Sequence, residues 1–188
     1  MKEGPRNAVR IIAGAWRRQL IRFPSIPDLR PTPDRVRETL FNWLGQTLHG
    51  KSCLDLFAGS GALGLEAASR GAAPVVLVES VREAQDALLE NATRLDARAV
   101  RLERIDAIEF LARADQFFDV VFLDPPFRRG VDKALLDLVG RRLNPRGTVY
   151  VESDHPFKPP QGWRIMRQSR AGQVHFHLLD RSPLEEPG

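Results

Sequence analysis

Cysteine and long apolar runs are scarce in this chain of 188 residues, and their scarcity excludes several classes of protein. The single cysteine, Cys53, lies in an apolar run, which rules out a disulfide framework and is typical of a small core residue in a reducing compartment. No apolar run reaches the roughly 18 residues that a membrane span needs. The first residues lack the apolar stretch of a secretory signal. We therefore expect a cytoplasmic protein without membrane contact.

Metal ligands in a recognisable arrangement are also lacking. His175 and His177 alternate along one predicted strand, and no cysteine or paired acid stands at ligand spacing from them or from His155. We therefore expect no metal site.

Positive charge is concentrated at one end of the chain. The formal net charge is +4, but residues 1–38 carry +5 and the other 150 residues sum to −1. A basic segment on a nearly neutral body is typical of proteins that bind a polyanion. The alternative is that arginine is simply common on every surface, since 24 of the 28 basic residues are arginine.

Strand and helix patterns alternate through most of the sequence. Residues 9–23 predict two short strands of a hairpin around Gly14, and four prolines between 24 and 33 predict an extended linker. Thr32 is the predicted N-cap of a helix that runs to Gly50, with Pro33 in its first turn. Strands are then predicted at 52–57, 75–79, 99–104, 118–123 and 147–152, with helices between them, and an antiparallel pair at 163–168 and 174–179.

This alternation predicts the fold class and the division of the chain. The fold is α/β, a Rossmann-like doubly wound sheet, mostly parallel with an antiparallel C-terminal edge, plus a short N-terminal β-hairpin extension. We expect a basic hairpin and linker over residues 1–33, the main domain over 34–181 and a disordered tail over 182–188.

A glycine-rich turn after the first predicted strand of this sheet indicates a bound nucleoside. Gly59, Gly61 and Gly64 have the Gly-x-Gly-x-x-Gly spacing, which lets a ligand approach the backbone at a helix N-terminus. Glu79 ends the next strand, 18 residues after Gly61, where an acid can accept hydrogen bonds from both ribose hydroxyls. Glycines at this spacing also serve plain helix–sheet packing, so the turn alone is a weak signal.

Asp55, within the end of that strand, discriminates between cofactors. A carboxylate there would repel a pyrophosphate but could receive the ammonium group of a methionine moiety. The segment 55–61 resembles motif I of class I S-adenosylmethionine methyltransferases. This resemblance implies S-adenosylmethionine as the cofactor, with contacts from Asp55, Phe57, Ala58, Gly59, Ser60, Gly61, Glu79, Asp106 and Ala107. Asp106 is also a candidate N-cap for the helix that follows it.

The tetrapeptide Asp124-Pro125-Pro126-Phe127, at the end of the fourth predicted strand, is the most specific feature of the sequence. Two prolines make a rigid turn that has no backbone donors, so it presents the Asp124 carboxylate and the Pro125 carbonyl as acceptors. An exocyclic amine has two protons to donate to such a pair, and Phe127 can stack on a base. The tetrapeptide resembles the (D/N)PP(Y/F) motif of amino-methyltransferases, and we predict Asp124, Pro125 and Phe127 as catalytic residues.

Two N-terminal segments narrow the substrate. Residues 10–17 (RIIAGAWR) and 29–44 (LRPTPDRVRETLFNWL), together with DLFAGSGALG and DPPF, resemble the bacterial RsmD-like family, which methylates guanine N2 in 16S ribosomal RNA. The resemblance implies a monomer that acts on the small ribosomal subunit. RNA contacts are predicted for Arg10, Trp16, Arg17, Arg18, Arg30, Arg35 and Arg37. Trp16 has an alternative role, in which it pins the hairpin to the main domain.

Three other functions share part of this pattern. A DNA adenine-N6 or cytosine-N4 methyltransferase would carry both motifs, but it usually needs a separate target-recognition domain. A nicotinamide-dependent oxidoreductase would use the glycine turn and leave the double proline unexplained. An RNA-binding module with a vestigial cofactor site would not need Asp55, Glu79 and Asp124 intact.

Overall fold

The computed structural model describes residues 6–27, 29–126 and 130–182. Phe127 and most of the predicted tail therefore lie outside the described residues. Within those ranges no helix has the length and apolar character needed to span a membrane.

The N-terminal segment forms an antiparallel hairpin, as predicted. Its strands are β1 (Arg6–Arg10) and β2 (Leu20–Pro24), and the connection between them, which contains Gly14, runs from residue 11 to residue 19. The remaining elements, in chain order, are α1 (Asp34–Leu44), β3 (Cys53–Asp55), α2 (Ala62–Ser69), β4 (Val75–Val78), α3 (Arg82–Arg94), β5 (Val100–Glu103), α4 (Ala107–Arg113), β6 (Phe118–Leu123), α5 (Lys133–Gly140), β7 (Leu143–Ser153), β8 (Trp163–Ala171) and β9 (Val174–Arg181).

The predicted fold class is confirmed. Seven strands form one sheet in the order β5-β4-β3-β6-β7-β9-β8, in which β3 to β7 are parallel and β8 and β9 form the antiparallel edge. The chain runs outward from β3 in both directions, first to β4 and β5 and then to β6 and β7. In such a sheet the point of reversal leaves a crevice at the carboxyl ends of the central strands, where ligands bind.

Both faces of the sheet are covered by apolar side chains. The central parallel strands β3, β4 and β6 are buried almost throughout because helices cover each side of them, whereas the edge strand β5 is partly exposed. One face packs against α1, α2, α3 and the hairpin, and the other against α4 and α5. The hairpin contributes four side chains to the first of these clusters: Val9, Ile11, Ile21 and Phe23.

The hairpin turn is fixed to the end of α2 through Ser69. The Ser69 hydroxyl donates to the carbonyl of Ala13 (2.6 Å) and accepts from the N–H of Trp16 (3.0 Å), and the Ser69 carbonyl accepts from the N–H of Ala15 (2.7 Å). A Cβ at Gly14 would lie 1.9 Å from that carbonyl oxygen, so only glycine permits this approach.

Both the start and the end of α1 differ from the prediction. Thr32 is not the N-cap: Pro33 precedes the helix without a side-chain cap, and the Thr32 hydroxyl lies 3.5 Å from a carboxylate oxygen of Asp124. The helix ends at Leu44, before Gly45 with φ +106°, rather than at Gly50. Leu48, whose apolar side chain prolonged the helical pattern, lies in the segment after the helix and is buried in the core cluster. Tertiary contacts therefore outweighed the local signals at both ends.

Candidate active site

A cavity of about 510 Å³ opens at the carboxyl ends of β3, β4, β6 and β7. Its walls come from the glycine turn, the end of β4, the start of α4, residues 124–126 after β6 and the linker before α1. Of the residues predicted to bind cofactor or to catalyse, the cavity is lined by Asp55, Phe57, Ala58, Gly59, Ser60, Glu79, Asp106, Ala107, Asp124 and Pro125. Arg30, predicted to contact RNA, also lines it. The glycine-rich turn and the Asp-Pro-Pro segment identified in the sequence thus line the same cavity.

The three glycines of the turn have different structural roles. Gly59 and Gly61 have positive φ angles of +50° and +81°, which side-chain-bearing residues rarely adopt. Gly61 does not line the cavity; a Cβ there would lie 2.5 Å from Leu88 Cδ2. A Cβ at Gly64 would lie 2.1 Å from Leu77 Cδ2, so its absence lets α2 pack closely on the sheet. The glycines therefore bring the first turn of α2 down onto the strand ends, beside the cavity.

Acidic side chains hold the backbone around the cofactor half of the cavity. Glu79 accepts from the N–H of Gly59 (2.9 Å) and of Val81 (2.7 Å), and so joins the glycine turn to the end of β4. Asp55 accepts from the N–H of Gly64 (2.9 Å). Asp106 accepts from the N–H groups of residues 108 (2.8 Å) and 109 (3.4 Å), which confirms its predicted role as the N-cap of α4. The predicted cofactor contacts of these residues stay predictions.

Three buried carboxylates, from Asp55, Asp124 and Glu152, meet at the ends of β3, β6 and β7. We call them the carboxylate triad. Asp55 and Glu152 are almost fully buried, and Asp124 is exposed only in part. Thr32 donates to Asp124 Oδ2 (3.5 Å), and the hydroxyl of Tyr150 donates to Glu152 Oε1 (2.7 Å). In the part of the chain that the structure describes, no arginine or lysine forms an ion pair with any of the three.

Burial without a cationic partner raises the pKa values of the triad. The pKa of Asp55 rises to about 7, mainly by burial and further by the charges of Glu79 and Glu152. Burial, then the Glu152 and Asp55 charges, hold the pKa of Asp124 well above its ordinary value. Burial also raises the pKa of Glu152, against hydrogen bonds from Tyr150 and Thr32. Perturbed carboxylates in a cleft are typical of functional sites.

Sequence reasoning missed Glu152, Tyr150 and Thr32 as members of this site. A signal for Glu152 was present, because it ends the strand predicted at 147–152 just as Asp124 follows the strand predicted at 118–123. The pairing of Leu123 with Val151 places Asp124 and Glu152 side by side on neighbouring parallel strands. No local signal marked Thr32, because its partner lies 92 residues away.

Five of the arginines predicted to contact RNA have exposed side chains: Arg10, Arg17, Arg18, Arg30 and Arg35. Trp16 is partly buried and packs against the core cluster below the hairpin, as its alternative role requires. The RNA contacts of these six residues stay predictions.

The prediction that Arg37 contacts RNA is wrong. Its side chain has no exposed area. Its guanidinium donates to the carbonyls of Thr32 (3.2 Å) and Arg10 (2.9 Å) and to the carboxylates of Asp34 (2.6 Å) and Glu66 (3.4 Å). A side chain enclosed in this way cannot reach a phosphate outside the protein.

Two other chemistries find no support within the described ranges. Burial raises the pKa of Cys53 to about 12, so its thiol stays protonated, and its predicted place in the core is confirmed. No group of three or more histidine, cysteine, aspartate or glutamate side chains described in the structure is arranged to hold a metal ion.

Comparison with known proteins places the chain in a family. Residues 9–180 match the model of the family described as "Conserved hypothetical protein 95". The chain belongs to this family. The RsmD-like resemblance is confirmed by relatives named ribosomal RNA small subunit methyltransferase D. The protein of that name from Escherichia coli K12 is 43% identical over 92% of this chain and 90% of its own length. The one from Haemophilus influenzae is 39% identical over 92% and 94%.

A solved structure agrees with this membership of the family. The putative methyltransferase YhhF from Escherichia coli has a TM-score of 0.82 and 42% identity, and the match covers 93% of this chain and 98% of that one. Membership in the family confirms the prediction that the chain is a methyltransferase.

Proposed function

We propose that the protein transfers a methyl group from S-adenosylmethionine to the exocyclic N2 amine of a guanine in small-subunit ribosomal RNA. The observation that carries this proposal is the single cavity lined both by the glycine turn with Glu79 and Asp106 and by Asp124 with Pro125. One group of residues suits a nucleoside cofactor and the other suits an amine. Methyl transfer requires the two reactants to be held side by side.

The cofactor half of the cavity fits S-adenosylmethionine. The glycine turn leaves room for a ligand beside the backbone, and Glu79 keeps lone pairs for ribose hydroxyls beyond the two N–H groups it accepts. Asp106 and Ala107 line the region assigned to the adenine, and Asp55 is the acid proposed to receive the ammonium group. When bound, the cofactor supplies an electrophilic methyl group on a sulfonium.

The substrate half fits an amine. The Asp124 carboxylate and the Pro125 carbonyl accept the two protons of the amine, which directs the nitrogen lone pair toward the methyl group. Asp124 can also take the proton that the amine loses, because its raised pKa makes it a better base than an ordinary carboxylate. The proposed stacking of Phe127 on the base completes this half, although that residue lies outside the described part of the chain.

The basic N-terminal hairpin supports ribosomal RNA as the substrate. Arg10, Arg17 and Arg18 stand exposed on the hairpin, Arg30 is exposed and lines the cavity, and Arg35 is exposed on the first turn of α1. Arginines of this kind position a nucleic-acid backbone. The two relatives above carry the small ribosomal subunit in their names, which agrees with this assignment.

The remaining parts of the proposal follow from this substrate. Residues 1–33 would provide RNA contacts and residues 34–181 would provide catalysis. The chain would act as a monomer on the small subunit in the cytoplasm. A target guanine inside a base stack would have to be splayed out to reach Asp124.

The decisive experiment is methyl transfer from radiolabelled S-adenosylmethionine to small ribosomal subunits that lack the modification. Naked ribosomal RNA and genomic DNA serve as parallel acceptors. The expected result is label on the subunits that digests to N2-methylguanosine. Label on DNA alone, or on a nucleoside other than N2-methylguanosine, would contradict the proposal.

A further inference from the structure

We propose that Glu152 determines the specificity for guanine by accepting the N1–H of the target base while Asp124 accepts its N2 amine. This inference rests on the proposed function and deepens it. Three features support it: the adjacency of the two carboxylates, the fixed position of Glu152, and a second cavity beside it.

The two carboxylates stand where they can meet one edge of one base. Leu123 of β6 pairs with Val151 of β7. Asp124 follows Leu123 and Glu152 follows Val151, so the two acids lie next to each other on adjacent parallel strands. Adjacent strands lie about 4.8 Å apart. The N1 and N2 atoms of guanine are neighbours on its Watson–Crick edge, and both carry protons. Two acceptors on adjacent strands therefore face two adjacent donors.

The position of Glu152 is fixed by side chains that the mechanism has not used so far. Its exposed fraction is 7%, and the buried Tyr150 hydroxyl donates to its Oε1 at 2.7 Å. The Thr32 hydroxyl has a single proton to share between the two carboxylates: its oxygen lies 3.5 Å from Asp124 Oδ2 as donor to acceptor, and the same hydroxyl lowers the pKa of Glu152. A buried carboxylate with only neutral hydroxyl partners retains acceptor capacity for a further donor.

A second cavity, of about 160 Å³, adjoins the larger one at these residues. Glu152 and Pro125 line both cavities, and Phe157 and Val131 supply apolar walls to the smaller one. A flat base requires such walls for its faces, and polar acceptors at its edge. We place the target base across this junction, with its N1–N2 edge toward the two carboxylates.

The arrangement favours guanine over the two bases that other amino-methyltransferases modify. Beside its exocyclic amine, adenine presents N1 and cytosine presents N3, and both of these ring nitrogens are acceptors. Either base would set a lone pair against the Glu152 carboxylate. A site built to receive a donor rejects a ligand that lacks it because the buried acceptor is left unpaired.

The test compares guanine with 2-aminopurine, which keeps the amine to be methylated but lacks the N1 proton. Small subunits are reconstituted with either base at the methylated position, after the labelling experiment has located that position. Glu152→Gln is compared with the wild type, since the amide can donate to an N1 lone pair. Glu103→Gln is the matched control, because Glu103 is an exposed glutamate that also lies at the carboxyl end of a parallel strand.

The expected result is a change in preference. Wild type and Glu103→Gln should favour guanine over 2-aminopurine in kcat/KM by about 100-fold or more. Glu152→Gln should reduce this ratio below about 10-fold while its affinity for S-adenosylmethionine stays within a few fold. The loss of O6 in 2-aminopurine affects both enzymes alike and cancels when the two ratios are compared.

Tyr150→Phe is a second variant, which removes the hydroxyl that holds Glu152 and should lower the ratio several-fold. Equal rates of wild type on both bases, or an unchanged preference in Glu152→Gln, would overturn the role of Glu152 and leave the proposed function intact. Absence of label on guanine-containing subunits with wild type would instead overturn the proposed function, and this inference with it.

Discussion

Two sets of buried carboxylates in this chain have opposite surroundings. Glu66 on α2 is fully buried and accepts from Arg37 (3.4 Å), from Arg70 (2.8 Å), and from the backbone N–H groups of residues 12 (2.7 Å) and 13 (3.0 Å). The carboxylate triad of Asp55, Asp124 and Glu152 is buried without an ion pair to any described cation. Both sets must offset the cost of removing charge from water.

The difference separates a structural charge from functional ones. Glu66 has its donors within the protein, and it joins the hairpin, α1 and α2. The triad has few internal donors and faces a cavity, so its acceptors remain available to a ligand. Leaving buried acceptors unpaired destabilises the folded chain, and binding of the cofactor ammonium and the base donors would compensate for this.

The largest expected effect is on catalysis, from Asp124→Ala. Removing the carboxylate removes both the orientation of the amine and the acceptor of its proton, so the rate of methyl transfer should fall by about 10²–10⁴-fold. Affinity for S-adenosylmethionine, measured by calorimetry, should change little. Asp86→Ala, which removes an exposed acid on α3, is the control. Loss of cofactor binding in Asp124→Ala would move this residue into the cofactor site and weaken the comparison.

The second prediction tests the structural role of the buried Glu66 carboxylate. Glu66→Gln should lower the free energy of unfolding by about 3–5 kcal/mol, because it leaves the buried Arg70 without an anion and leaves the buried Arg37 with only the exposed Asp34. Glu152→Gln should have no such cost, since the charge it removes has no ion-pair partner among the described residues. Urea unfolding at pH 7 measures both. The comparison fails if the two variants lose similar stability.

The third prediction concerns pH and Asp55. The pKa of Asp55 in the folded chain, about 7, exceeds its ordinary 3.8, so the folded state binds the proton more tightly than the unfolded state. Stability should therefore fall as pH rises from about 4 to 7, with a slope of up to about 1.4 kcal/mol per pH unit from this group. Asp55→Asn should remove that contribution. Parallel unfolding free energies for the two proteins across this range would show that Asp55 has an ordinary pKa.

The smallest effect is expected on the surface. Arg17→Ala removes an exposed arginine, so the free energy of unfolding should change by no more than about 0.5 kcal/mol. Affinity for the small subunit should decrease, and the slope of log affinity against log salt should shrink by about 1. Arg113→Ala, on α4 at the opposite face of the sheet, is the matched control and should leave that slope unchanged. An unchanged slope in Arg17→Ala would remove this arginine from the RNA contacts.

Sequence reasoning was sufficient wherever the determining residues are close together in the chain. The parallel strands and the Asp106 N-cap follow from local periodicity and capping chemistry, and β6 was predicted to the residue. β7 was predicted to begin at residue 147 but begins at Leu143, because Pro145 and Gly147 interrupt its apolar pattern. The two motifs could be assigned to one site because carboxyl ends of central strands converge.

Sequence reasoning failed where a side chain's contact partner lies far away in the sequence. Arg37 looked like one more basic residue in an arginine-rich segment, and only the fold shows that Glu66 and the carbonyl of Arg10 enclose it. Thr32 has the local features of an N-cap, but tertiary structure gives its hydroxyl to Asp124. Pairings of this kind are set by packing, which local propensity does not encode.

The docking of the hairpin on α2 has a consequence for protein engineering. Four hairpin side chains belong to the main core, and Ser69 and Glu66 bind the hairpin backbone from Ile12 to Trp16. A chimaera that grafts the first 33 residues of another methyltransferase onto this domain would therefore have to bring a matching α1 and α2 with it. Altered RNA preference is better sought by exchanging exposed arginines on the native hairpin than by transplanting the hairpin as a module.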